Sequence, residues 1–406
     1  MPIYVGVDIG KESHMVCAVS DQEKIILHPF SVENSLSGVE LFISKVKALA
    51  PIDQILVGME ATGHYWQCFF IQLQTLGFSV CLINPYQTNH FAKTNLKRAK
   101  TDKVDALNIA KFLAESKPRS TKLPDELIMV LKELTRLRDS LVKNRSALHN
   151  QLVGVLDKAF PEFVQIIKNP TSEKALTILQ RYPSATALRK AKLGKLQTLT
   201  YGKKQHKIGP DLASALKNQA KRSISSDYAH TAYEIELRSI IAQIQTINEQ
   251  ILVIELKLKE YFSQLNLDNL LSIPGVGFVS VASLVAETED IDKFSSPKKL
   301  VAHFGICPKE DQSGKYRNPH PHMSKMGKSR PRAVAYRVCI PAIRVNPVIK
   351  EFYLRLRAEG KPTKVAICAC MRKIIHLFWA LWKYQRTFDA NFAQTCLSRH
   401  RSKNKL

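Results

Sequence analysis

Apolar residues at the start of the chain fall into short runs separated by polar turns. Ile3–Asp8 (Ile-Tyr-Val-Gly-Val-Asp) reads as a buried strand, and Ser13–Val19 and Lys24–Phe30 read as two more. Gly38–Leu49 has helical spacing, and Gln54–Met59 is a fourth strand. His64–Leu76 is a helix, and Phe78–Ile83 is a fifth strand stopped by Asn84-Pro85. Thr101–Glu115 is a helix with Asp102 near its start.

Three strands in meander followed by alternating helix and strand is the order of a ribonuclease-H-like α/β domain. The pattern then changes. After a basic, proline-marked break at Pro118–Pro124, Leu127, Leu131, Leu134, Leu141, Leu148, Leu152 and Val155 predict a long amphipathic helix ending before Pro161. Ile240, Ile244, Ile247, Ile251, Ile254 and Leu258 alternate four and three, the spacing of a coiled-coil seam. The two helices can pair with each other, pair across a dimer, or pack on the protein's own core. Residues 165–225 between them are lysine-rich without a clear period, and read as an inserted module or loosely helical extension. Leu270–Glu287 runs from a helix end through Pro274-Gly275-Val276-Gly277 into a new helix, a helix–hairpin–helix signature. The predicted organisation is an α/β domain (1–118), a coiled-coil region with the basic insertion (119–262), a mainly helical C-terminal domain (263–385) and a basic tail (386–406).

Charge sharpens this division. The 406 residues carry 60 Lys and Arg against 35 Asp and Glu, a formal net charge of +25. Residues 1–115 are close to neutral, with 10 basic and 11 acidic side chains, so the excess lies almost wholly in the remainder. A field of that sign and segregation favours a polyanion, nucleic acid first. A hydrophobic fraction of 45% excludes a disordered basic protein. The eight cysteines include no CxxC, and the closest pair, Cys368 and Cys370, is a poor zinc signature; most sit in apolar runs and read as small buried apolar residues. Val365–Trp382 is the longest apolar stretch, but Arg372, Lys373 and His376 interrupt it, which marks a core helix rather than a membrane span. The expectation is a soluble cytoplasmic protein in a reducing compartment, with no membrane partner.

Four carboxylates in the neutral region stand out. Asp8 ends the first strand, and Glu60 ends the fourth within Gly-Met-Glu-Ala-Thr-Gly-His-Tyr. Asp102 and Asp105 lie three apart on one helix face. The first and fourth strands are neighbours in this topology, so Asp8 and Glu60 can face one another. Carboxylates at that density are unfavourable without a cation, and an all-oxygen set suits a hard divalent ion, Mg²⁺ with Mn²⁺ as the alternative. The Asp8-Ile9-Gly10-Lys11 turn also suits a sugar kinase of the actin type, but that reading needs further glycine-rich phosphate loops, and the chain has only 16 glycines and no second such loop. Amides after Pro274, Gly275 and Gly277 suit a phosphate, while an ordinary glycine turn is the plainer alternative. A third cluster runs from Gly305-Ile306-Cys307-Pro308 through Ser313-Gly314-Lys315 to Ser324-Lys325-Met326-Gly327-Lys328. Ser313 could serve there as a nucleophile, with Lys315, Arg317 and Lys325 steadying a phosphate and Lys328 as a further nucleic-acid contact, although a serine beside a glycine is more often a turn residue.

Taken together, these motifs resemble the insertion-sequence transposases of family one-ten and the related Piv-type DNA invertases. The resemblance runs through Val5–Asp8, Glu60–Gly63, Ile83–Pro85, Lys100–Ala106, Ile273–Gly277, Gly305–Pro308, Ser313-Gly314, Ser324–Gly327 and Met371–Lys373. It implies a RuvC-like domain with an Asp-Glu-Asp-Asp metal set, matching Asp8, Glu60, Asp102 and Asp105, then a coiled coil and a C-terminal domain whose serine nucleophile matches Ser313. It also implies a covalent serine–DNA link, DNA partners at element ends and target, a noncoding guide RNA, and a homodimer or homotetramer. The sequence departs from the family at Pro331, where members carry an aliphatic residue before an Arg pair of which only Arg332 remains, and in the longer 165–225 stretch. A RuvC-like junction nuclease using water, and a non-catalytic nucleic-acid scaffold, are the competing readings.

Overall fold

Continuous burial along the first five residues of β1 (Ile3–Ile9) fits its place as the middle strand of a five-stranded sheet, covered on both faces. The computed structural model describes residues 1–61, 63–94, 101–225, 228–309, 312–313, 316–317 and 322–391. They form two compact units, Met1–Pro124 and the chain from Asp125 onward.

In the first unit β1 is followed by β2 (Ser13–Ser20), β3 (Ile25–Glu33), α1 (Leu36–Lys47), β4 (Ile55–Glu60), α2 (Trp66–Thr75), β5 (Ser79–Ile83), α3 (Pro85–Thr94) and α4 (Asp102–Ser116). The sheet order is β3-β2-β1-β4-β5. The first three strands are antiparallel, and β4 and β5 run parallel to β1. The five strands expected from the apolar runs are present, with β1 beside β4. Helix α3 was not expected: Asn84-Pro85 ends β5 and also starts this helix. Asn84 Oδ1 accepts the Tyr86 amide at 3.0 Å, and Pro85 occupies the first helical position, where its missing N–H is not needed.

The two sheet faces are separated by strand alternation. Val5, Val7, Val57 and Met59 pack with Phe42 of α1 and Phe69, Phe70 and Leu73 of α2. Tyr4, Cys81 and Ile83 pack on the other face with Ile109, Ala110 and Leu113 of α4. Gly6 permits that second contact: a Cβ there would lie 2.1 Å from the Ala106 carbonyl oxygen. Gly6→Ala is therefore expected to destabilise this unit by about 1–3 kcal/mol, read as a lower urea midpoint at unchanged slope.

The second unit opens with α5 (Glu126–Ala159), followed by α6 (Phe163–Ile166), α7 (Glu173–Arg181), α8 (Ala185–Lys190), α9 (Leu193–Gln197), β6 (Thr200–Tyr201), β7 (His206–Lys207), α10 (Pro210–Arg222) and α11 (His230–Ser263). Then come α12 (Phe278–Thr288), α13 (Pro297–His303), β8 (Gln312–Ser313), β9 (Tyr316–Arg317), α14 (Ser329–Val345), α15 (Pro347–Ala358) and α16 (Thr363–Tyr384). Helices α5 and α11, 34 residues each, lie antiparallel. Arg138 pairs with Glu255 at 2.7 Å and Arg145 donates to Asn248 at 2.7 Å, seven residues up one helix and seven down the other. The Ile240–Leu258 seam is thus used within the chain: Ile240, Ile244, Ile251, Ile254 and Leu258 are buried, and Ile247 is half-buried.

One core forms at each end of this helix pair. Leu131, Ile254, Leu258 and Phe262 join α12 to α16 at one end. Leu152, Leu156, Ile241 and Ile244 join the inserted module at the other, through Phe160, Phe163, Leu179, Leu188 and Leu216. The 165–225 stretch is therefore a built module, not a loose extension. Its apolar residues sit on short helices of four to thirteen residues, too short for a clear sequence period. Helix α16 is the one described helix long and apolar enough to cross a membrane, but Cys370, Ile374, Ile375 and Phe378 are buried in the core with α13 and α14. The seven described cysteines are unpaired, and burial pushes the Cys17 thiol up to about 11.

Candidate active site

The carboxylates come first from strand register. Gly6 pairs with Gly58 and Val7 with Met59, so Asp8 and Glu60 stand side by side one step beyond the last pair. Tyr4 and Gly6 face α4, as do Leu56 and Gly58, and alternation puts Asp8 and Glu60 on that same face. Both are half-buried.

Helix α4 runs antiparallel to β1. Its last turn reaches the β2–β3 turn, where Lys117 meets Asp21 at 2.8 Å and Lys111 meets Glu23 at 3.3 Å. Those acids lie beside the start of β1, since Ser20 pairs with Ile3. Ala106 sits over Gly6, so the first turn, with Asp102 and Asp105, comes to the end of β1 that carries Asp8. Thr101 caps that turn, accepting the Val104 amide at 3.4 Å. All four carboxylates thus belong to one end of the sheet. Among the described residues, no three His, Cys, Asp or Glu side chains close into a metal-binding group. The donor chemistry suits a hard cation. Thr88 of α3, which the sequence did not single out, is buried and donates its hydroxyl to Glu60.

The serine lies on an arm in the second unit. Gly305–Lys309 and the strand-like segment His322–Lys325 zip together: Lys309 N donates to His322 O at 2.7 Å, Ser324 N to Cys307 O at 2.8 Å and Lys325 N to Gly305 O at 3.2 Å. Beyond this base, β8 and β9 pair as a hairpin, Ser313 opposite Tyr316 and Gln312 opposite Arg317. Ser313 is the last paired residue before the turn. Gly314 and Lys315 lie outside the described residues, as do Asp311 and the tail from 392. Gly327 permits the closure, since a Cβ there would lie 2.2 Å from the His303 carbonyl oxygen. Arg332, the retained arginine, donates to the carbonyls of Phe304, Gly327 and Lys328 at 2.9–3.1 Å and fastens the base to α14.

The basic residues divide into two kinds. Lys325 is exposed beside the arm, at a left-handed position (φ 54°). Lys328 has internal partners instead, Glu289 at 3.4 Å and Glu287 at 3.6 Å. These belong to a charge network under the arm. Glu287, 1% exposed, also meets Arg136 at 3.3 Å, and Glu289 meets Lys132 at 2.7 Å and Lys293 at 3.4 Å. Burial would raise the Glu289 carboxyl, but the attraction of Lys328, Lys132 and Lys293 outweighs it and holds the group at about 2. Its stabilising contribution is complete above its ordinary 4.5 and is lost as pH falls from there toward 2. Glu289→Gln is expected to cost on the order of 3 kcal/mol at pH 7 and much less near pH 2, checked by urea midpoints at the two pH values.

The helix–hairpin–helix turn is partly structural. A 3₁₀ turn, Asp268–Ser272, stands where the first helix was expected. Gly275 (φ 86°) packs so closely on α14 that a Cβ would lie 2.7 Å from Ala342 Cα, and the Pro274 carbonyl accepts from Asn346 at 3.5 Å. Gly277 alone is open, at the start of α12.

The two regions that carry these sites each match a family of known proteins. Residues 5–161 match a DEDD-type transposase model, and residues 267–354 match the transposase model of the IS116/IS110/IS902 family. The chain belongs to this family of insertion-sequence transposases, enzymes of DNA recombination. It is similar to the 44.8 kDa protein of insertion element IS116 from Streptomyces clavuligerus, 23% identical over 95% of this chain and 96% of the relative. It is also similar to the transposase of IS1111A from Coxiella burnetii (24%; 95% and 90%) and to the pilin gene-inverting protein of Moraxella lacunata (22%; 95% and 97%).

Proposed function

We propose that this transposase cuts and rejoins DNA at the ends of its insertion sequence, with Ser313 as nucleophile and Asp8, Glu60, Asp102 and Asp105 as the metal-holding set. The observation that supports this most is the placement of the four carboxylates: two in register on neighbouring parallel strands, two on the first turn of the helix covering that face. A bound divalent cation, Mg²⁺ on this donor chemistry, would supply charge neutralisation at the scissile phosphate. The serine Oγ forms a bond to phosphorus as the P–O bond to the leaving deoxyribose oxygen breaks. The serine proton leaves to solvent or a base, and the leaving oxygen takes one up. Lys325, with Arg317 and Lys315, steadies the phosphate. The reading also includes a noncoding guide RNA and at least two copies of the chain, since two duplexes must be held together.

The test is a covalent intermediate. The full chain, with element-end DNA and Mg²⁺, is expected to give a denaturant-resistant protein–DNA adduct that maps to the peptide containing Ser313. Cleaved DNA with no adduct would favour the alternative, a metal-dependent junction nuclease that uses water.

A further inference from the structure

The inserted module carries a strongly one-sided charge, and the site described above makes no use of it. Residues 163–222 hold 13 Lys or Arg against two Asp or Glu. They also fall between the two family matches, which end at 161 and resume at 267.

The module presents part of this charge on a stiff support. Strands β6 and β7 form a hairpin, with Thr200 opposite Lys207 and Tyr201 opposite His206. The turn has left-handed positions at Gly202 (φ 76°) and Gln205 (φ 51°), and the Gln205 amide donates to the Gly202 carbonyl at 3.0 Å. Thr200 donates to the Gln205 side chain at 2.7 Å, and the Tyr201 and His206 rings lie tilted against one another with centroids 5.9 Å apart. The module's two ends are tied together, because Glu162 accepts from the Ser223 hydroxyl at 2.6 Å and the Ile224 amide at 2.9 Å.

Lys203, Lys204 and Lys207 are exposed on this hairpin. Among the described residues, no carboxylate stands within ion-pair distance of any of the three. Glu173 is the near acid, its carboxylate lying 3.6 Å from where a Gly202 Cβ would be, at the root of the turn. The contrast is with Lys132, Lys293 and Lys328, whose charge is met by Glu287 and Glu289. Three unpaired ammonium groups on a preformed turn cost little ordering on binding a chain of anions, and a lysine contacts a phosphate without reading a base.

We propose that the β6–β7 hairpin is a grip for the phosphate backbone of a nucleic-acid duplex, contacting about three phosphates through Lys203, Lys204 and Lys207. It is independent of the serine chemistry, because it concerns binding alone.

The test is the salt dependence of binding by the full chain, measured on a DNA duplex and on an RNA duplex of the same sequence. Each phosphate contact contributes about 0.9 to the slope of log affinity against log salt on B-DNA. A variant carrying Lys203→Ala, Lys204→Ala and Lys207→Ala is expected to show a slope shallower by about 2–3. The corresponding triple arginine variant is expected to keep the parent slope, and both are expected to melt where the parent does. Loss of slope on DNA alone, on RNA alone or on both supports the grip and says which backbone it holds. An unchanged slope on both duplexes overturns the proposal, as does an arginine variant that loses the slope while its melting is unchanged.

Discussion

Ser313→Ala is expected to lower the rate of DNA strand cleavage by about four orders of magnitude or more and to abolish the covalent adduct, with duplex affinity within about twofold of the parent. The size of the loss follows from removing the atom that attacks: nucleophile deletions forfeit the whole covalent route and leave only binding and electrostatic residue. Affinity is spared because an alanine in a hairpin strand leaves the backbone pairing of Ser313 with Tyr316 intact. The base of the arm is held by Arg332 and by the Cys307–Ser324 and Gly305–Lys325 backbone bonds, and none of these involves residue 313. Single-turnover cleavage and filter binding on the same DNA separate the two quantities. Cleavage retained within tenfold would mean that water attacks and that Ser313 is a turn residue.

The second large effect concerns the acidic end of the sheet. Asp8→Asn and Glu60→Gln are each expected to lower cleavage by about 10³-fold at fixed Mg²⁺, with part of the loss recovered at higher Mg²⁺. Each change removes one negative oxygen donor and keeps the side chain's volume, so the sheet and the docking of α4 at Gly6 should persist. Thr88→Val, which removes the hydroxyl that orients Glu60, is expected to cost about 10- to 100-fold, the usual range for a group behind a metal ligand. Cleavage rates titrated with Mg²⁺ give all three numbers. Equal losses for Thr88→Val and Glu60→Gln would place Glu60 in a structural role.

Much of the N-terminal architecture is legible in the amino-acid order because strand alternation and strand ends are local signals. Asp8 and Glu60 end their strands, and their adjacency follows once β4 lies beside β1. The places where sequence reasoning falls short share a cause: the deciding partner is distant in sequence. Gly275 reads as a phosphate-cradling glycine, but the close approach of Ala342, 67 residues later, decides its use. Lys328 reads as a phosphate contact, but Glu287 and Glu289 hold its ammonium group. Thr88 carries no motif of its own, and only the fold sets it against Glu60, 28 residues earlier. The inserted module hides for a different reason, since its helices are too short to display a period, although together they close a core.

The antiparallel pairing of α5 and α11 sets a fixed gauge within the second unit. At about 1.5 Å per residue each helix is roughly 50 Å long, about one and a half turns of B-form DNA. One end carries the core that supports the serine arm, and the other carries the lysine hairpin's module. One residue inserted into α5 would turn everything beyond it by about 100° and walk Arg145 off Asn248. A change in that length would keep the pairing only as a matched step in both helices. The distance between the two ends is thus set by the helix pair as a whole.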